Sequence, residues 1–229
     1  VNVWASEDLE VDTLRSLVTR PGVTVWLSTR TNSLRESTLD TLAKAKHAYV
    51  AVRPPFNGAL RSQLARVAHV GLWVDLNAQS VDGIGAVLGN RPLAVTVSGN
   101  LEKAQVALLS RTRPRVVLWR PTQPPDVLAL AQARALSGRV WLRWPEDAPE
   151  PAGCPPKLGV TLMMRLKEGA KPEVTCARQA MFELSPLSTA AQLQQLTFLA
   201  PTAEVSFEVG ADADRARSVL QVLDTAGWR

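Results

Sequence analysis

Apolar runs with every second residue β-branched or aromatic recur from the start of the chain to Trp144. They are VNVWAS (1–6), VTVWLST (23–29), AYVAVR (48–53), VGLWVDL (70–76), LAVTVS (93–98), RVVLWR (115–120) and RVWLRW (139–144). Their starts lie roughly 22 to 24 residues apart. Between them the apolar spacing changes to that of a helix: Leu9, Leu14, Leu17 and Val18; Leu34, Leu39 and Leu42; Leu60, Leu64 and Val67; Val106, Leu108 and Leu109; Val127, Leu128, Leu130 and Leu136. Links of this length are too long for hairpins, so the pattern predicts repeated βα units with parallel strands. Residues 69–100 are the clearest copy. Ser6 with Glu7 and Asp8, Ser37 with Thr38, Ser80, and Thr122 ahead of Pro124 and Pro125 mark expected helix starts.

After Trp144 the pattern breaks. Residues 145–157 hold five prolines in 13 positions and read as a loop. An eighth extended run follows at 158–166, then a segment at 174–184 expected to return as an antiparallel partner. A helix at 189–198, a strand at 204–209 and an amphipathic closing helix from Asp212 to Ala226 complete the chain. The resulting expectation is an α/β fold. Residues 1–166 form a small (β/α)-barrel-like repeat of eight strands, and residues 167–229 an irregular α/β extension packed on it. An open α/β solenoid is the alternative. Leu72-x-Val74-x-x-Asn77 and Val95-x-Val97-x-x-Asn100 resemble the LxLxxN core of leucine-rich repeats, but only in these two units.

Strand alternation sorts the side chains into two faces. One is aliphatic (Val3, Val25, Leu27, Val50, Leu72, Val74, Val95, Val97, Val117, Val140, Leu142, Leu162) and should lie under the helices. The other carries Trp4, Trp26, Ala51, Trp73, Thr96, Leu118, Trp141 and Met163, a mixture of sizes suited to filling a barrel interior. This second face ends, at the strand C-termini, in Ser6, Ser28, Arg30, Arg53, Asp75, Ser98, Arg120, Arg143 and Arg165.

Parallel α/β folds bind ligands at that end, and arginines gathered there suit carboxylate, phosphate or sulfate groups. Trp144, Asn77 and Asn100 are added as candidates for contact with a sugar. The expected function is therefore a binding or catalytically degenerate barrel that recognises an anionic small molecule or a saccharide. The solenoid alternative would make the tryptophan-bearing face a protein-interaction surface. In one placement the chain resembles glycoside-cleaving barrels: Asp75 ends the fourth strand and Glu146 follows the seventh, where such enzymes carry their two carboxyl groups. That resemblance implies a glycoside hydrolase with Asp75 and Glu146 as catalytic pair. No sequence signature accompanies it, and the nearby arginines favour ionised carboxylates where catalysis needs one protonated acid.

Composition narrows the field only slightly. The 229 residues are 46% hydrophobic with a net charge of +5, no apolar run approaches the roughly 20 residues of a membrane span, and the basic residues are dispersed, without a nucleic-acid signature. The two histidines, His47 and His69, both precede strands, which places them away from the expected mouth. No triad, G-x-S-x-G elbow, zinc motif or phosphate-binding loop is present, so neither a metal nor an organic cofactor is expected. Asp212 and Asp214 read as a helix cap. Cys154 and Cys176 fit a disulfide or two free thiols equally, and the compartment stays open, secreted or periplasmic included.

Overall fold

The computed structural model describes residues 1–31, 33–136, 138–145, 147–149, 159–165, 180–184 and 204–226. They contain ten strands: β1 Asn2–Ser6, β2 Thr24–Ser28, β3 Ala48–Ala51, β4 Gly71–Asp75, β5 Leu93–Ser98, β6 Val116–Arg120, β7 Arg139–Arg143, β8 Thr161–Arg165, β9 Ala180–Leu184 and β10 Glu204–Gly210. Seven helices are described: α1 Val11–Thr19, α2 Glu36–Leu42, α3 Gly58–Ala65, α4 Ala78–Leu88, α5 Lys103–Thr112, α6 Val127–Arg134 and α7 Ala213–Thr225. Each strand pairs in parallel with its neighbours in sequence, and β1 pairs with both β2 and β10, which closes the sheet into a barrel.

The (β/α) barrel is therefore the fold, and closure rules out the open solenoid. Asn77 and Asn100 are exposed rather than forming a buried ladder. The strand count differs from eight. β9, expected to run antiparallel, pairs in parallel with β8 and β10, so strands beyond residue 166 are staves of the same barrel. The helix expected at 189–198 and both cysteines lie outside the described residues.

Local signals explain the helices. In α1 the buried Thr13, Leu14, Leu17 and Val18 form one stripe against the sheet. Three helices start on side-chain caps: Asn57 accepts from the Leu60 N–H at 2.8 Å, Asp126 from Ala129 at 2.7 Å, and Asp212 from Asp214 and Arg215 at 3.0 Å. Asp212 is thus the cap anticipated from sequence. The expected starts at Ser6, Ser37 and Thr122 move to Val11, Glu36 and Val127, because Glu10, Arg35 and Asp126 occupy the extended position before each helix.

Two cores result. Between sheet and helices lies the aliphatic face, with Val3, Val25, Leu27, Val50, Leu72, Val95, Val117 and Leu142 buried. Inside the barrel, Trp26, Tyr49, Ala94, Val116, Leu118, Trp141, Met163 and Met181 form a separate cluster, with Trp4 and Trp73 packed on it. A barrel's diameter grows with its strand number, and ten strands enclose more space than aliphatic side chains would fill. Indoles fill it here. Trp4 stacks on Trp26 at 4.8 Å and Trp26 on Tyr49 at 4.3 Å, while Trp73 and Trp141 meet Trp26 edge-on at 6.0 and 5.3 Å. Ala51, level with Trp73, shares the lumen face of β3 with Tyr49, which the sequence reading left out and which supplies the bulk of that strand in the lumen.

The stack ends on Gly71, the register partner of Tyr49. A Cβ there would sit 2.5 Å from two carbons of the Tyr49 ring, so the ring lies flat across β4 only because β4 begins with glycine. At the same end of the barrel a polar chain ties strands together across the lumen. Trp26 Nε1 donates to Asn2 Oδ1 at 2.9 Å, Asn2 Nδ2 donates to Glu204 Oε2 at 3.3 Å, and Glu204 is ion-paired with Arg139. This links β2, β1, β10 and β7.

Gly71→Ala is expected to destabilise the protein by about 1–3 kcal/mol through overpacking. In a Tyr49→Leu background the same substitution should cost much less, because the two residues are in contact. Chemical denaturation of the four proteins of this cycle checks both statements.

Candidate functional site

The C-terminal mouth is built by alternation. On the inward parity of their strands, Asp75, Arg120, Arg143, Arg165, Glu183 and Glu208 follow Trp73, Leu118, Trp141, Met163, Met181 and Ser206 toward the C-terminal ends. Arg120 stands at the end of β6. Its guanidinium is half-buried, and its Nε is fully buried without a hydrogen-bond partner among the described residues. Burial holds its pKa below the ordinary arginine value. Arg143 acts in the same direction, while Glu183, Asp75 and Glu208 oppose it. Those four charged groups lie within electrostatic reach of Arg120.

Arg143 on β7 reaches Glu183 on β9 at 3.1 Å, passing over Met163 of the intervening β8. Both side chains are less than a third exposed, so this pair is shielded better than a rim contact. Arg165 and Glu183 are register partners on β8 and β9. On that side of the mouth Arg143 is thus compensated by Glu183. On the other face Arg120 stands opposite Asp75 and Glu208 without a direct bond to either.

The sequence-derived candidates separate accordingly. Asp75, Arg120 and Arg143 come together. Arg53, Asn77 and Asn100 are exposed beyond the ends of β3, β4 and β5, at the outer edge of the same mouth, and Arg165 is exposed at the end of β8. Arg30, in the loop after β2, is held by Asp8 of the loop after β1 at 2.9 Å, with its side chain 79% exposed. Trp144, one position out of phase with Arg143, packs on the helix-side core, and its Nε1 donates to the Pro149 carbonyl at 2.9 Å. Glu146 lies outside the described residues.

Searches against models of protein families and against curated proteins find no match. The chemistry has to be read from the site itself.

Two groups at the mouth escaped the sequence reading, Glu183 and Glu208. Glu208 had a signal: Glu204, Ser206 and Glu208 alternate with Val205, Phe207 and Val209, the two-residue period of a stave with a polar inner face. Glu183 lies in AMFEL, where a single polar residue fixes no face. With them the mouth carries carboxylates among its arginines rather than a mostly cationic ring. No group of three or more His, Cys, Asp or Glu side chains among the described residues is arranged to hold a metal ion, and no described helix is long and apolar enough to cross a membrane. His47 and His69 lie before β3 and β4, at the opposite end from this mouth.

A desolvated arginine without a full set of acceptors destabilises its surroundings. Arg120→Met, which keeps the length and removes the charge, is therefore expected to leave the thermal midpoint unchanged or to raise it by a few degrees. Differential scanning calorimetry decides; a fall of several degrees would make Arg120 a structural residue.

Proposed function

We propose that the protein is a binding module that recognises an anionic small molecule or an acidic saccharide at the C-terminal mouth of its barrel, with Arg120 as the anchor. The observation that carries this reading is the buried, unbonded Nε of Arg120 in a mouth whose other shielded pair, Arg143 and Glu183, is already satisfied. A carboxylate, sulfate or phosphate oxygen is the acceptor that Arg120 lacks, and a planar oxyanion can take two of its N–H groups at once. Asp75 and Glu208 then act as selectors: a bare polyanion is repelled, whereas a ligand carrying hydroxyl groups beside its acidic group can donate to them. That combination describes a uronic acid or another hydroxylated acid better than inorganic phosphate.

The mouth lies on the face where parallel barrels hold their ligands, which supports the location by analogy of fold. The exposed Asn77 and Asn100 could extend contact along a chain of sugars. A hydrolytic role for Asp75 with Glu146 is the competing reading.

Calorimetric titration with glucuronate, beside glucose as the neutral counterpart, tests the proposal. Glucuronate should bind and glucose should not. Arg120→Ala should weaken binding by roughly tenfold to a hundredfold, the worth of one charge-assisted hydrogen-bond set. Equal binding of both sugars, or no effect of the substitution, would overturn it. Turnover of a chromogenic glycoside that disappears in Asp75→Asn would replace it with the hydrolase reading.

A further inference from the structure

The opposite end of the barrel carries a second feature that the C-terminal mouth does not explain. A cavity of about 590 Å³ opens at the strand N-termini, within the roughly 300–1,000 Å³ range of small-molecule sites. Its lining draws on Lys46 and His47 ahead of β3, His69 ahead of β4, Arg115 ahead of β6, and Arg139 with Glu204 at the starts of β7 and β10. Trp26, Tyr49 and Trp141 form its inner end.

Three observations set this cavity apart from an ordinary barrel bottom. First, its cations are not balanced. Arg139 is committed to Glu204, but among the described residues neither Lys46 nor Arg115 has an ion pair and Glu204 is the one carboxylate of the lining. Second, two of its three aromatic groups have their faces covered. Trp26 is covered on both faces by Trp4 and Tyr49, and Tyr49 is closed on its far side by Gly71. A flat hydrophobic ligand cannot stack on Trp26 or Tyr49 there, whereas their electropositive ring edges suit oxygen atoms. Third, the indole nitrogen of Trp141 is buried without an acceptor among the described residues, although those of Trp26, Trp73, Trp119 and Trp144 all have one.

One imidazole is already oriented. His69 Nε2 lies 3.2 Å from the Leu42 carbonyl, to which it can only donate, and this contact positions the ring. The Tyr49 phenol adds a polar group: burial raises its pKa and Arg115 opposes the rise, which places the Arg115 charge within its electrostatic reach.

We propose that this N-terminal cavity is a second ligand site, taking a small organic oxyanion through Lys46 and Arg115 with His47 and His69 as hydrogen-bonding partners. The ligand is hydrophilic and carries its carboxylate or phosphate group toward the two uncompensated cations. The aromatic filling of the lumen separates this site from the C-terminal mouth, so the two bind independently.

The test is a ¹⁵N–¹H NMR titration that follows the Trp141 indole resonance and the rings of His47 and His69, in an Arg120→Ala background that removes the anchor of the other mouth. Citrate and glucose 6-phosphate are the probes, which distinguishes carboxylate from phosphate, and glucose is the neutral control. Saturable shifts of these resonances with one or both anions are expected. They should weaken at least about tenfold in Lys46→Ala/Arg115→Ala, two exposed positions whose replacement leaves the core intact. Absence of saturable shifts with both anions, an equal response to glucose, or persistence of the response in the double variant would each overturn the proposal. Because Arg120 is absent throughout, failure of the acidic-sugar reading at the other mouth leaves this result unchanged.

Discussion

A parallel barrel of ten strands has to be filled, and everything else in this molecule follows from how it is filled. Eight strands close around a lumen that ordinary aliphatic side chains occupy; two more widen it. The chain meets that demand with Trp4, Trp26, Trp73, Trp141 and Tyr49, packed partly face to face and partly edge to face. The aromatic column in turn dictates glycine at position 71 and an asparagine at position 2 to accept the Trp26 N–H. Its bulk gives the lumen a solid middle, and the open volume and the uncompensated charge lie at the ends.

The two ends use their charges differently. At the N-terminal mouth the Arg139–Glu204 pair, joined through Asn2 to Trp26, ties together strands far apart in the ring and leaves Lys46 and Arg115 as surplus. At the C-terminal mouth the Arg143–Glu183 pair performs the same bridging across β8, and Arg120 remains with an unmet donor. An apolar side chain at position 120 would serve the core better. That local conflict between stability and placement is the mark expected of a group kept for binding.

Much of the fold was legible because barrel strands alternate so regularly. β1 to β8 announce themselves by period, and the division into helix-facing and lumen-facing residues follows from parity alone. Legibility failed where parity was weak or interrupted. The proline-rich stretch at 145–157 suggests the end of a repeat, which hid the fact that β9 and β10 continue the same ring. With those strands misjudged, Glu183 and Glu208 dropped out, and the C-terminal mouth looked more cationic than it is. Tyr49 was missed because the extended run reads on to Arg53 and puts Ala51 near its centre, whereas β3 ends at Ala51. The N-terminal cavity was invisible for a different reason: its cations come from loops ahead of strands, where neither period nor motif links Lys46 to Arg115.

The most direct test of this account is a crystal structure of the protein soaked in glucuronate. The account predicts an aromatic-filled lumen and the glucuronate carboxylate at hydrogen-bond distance from the Arg120 guanidinium. A C-terminal mouth with no bound sugar, in which Asp75 or Glu208 instead closes directly onto Arg120 and satisfies its Nε, would contradict it.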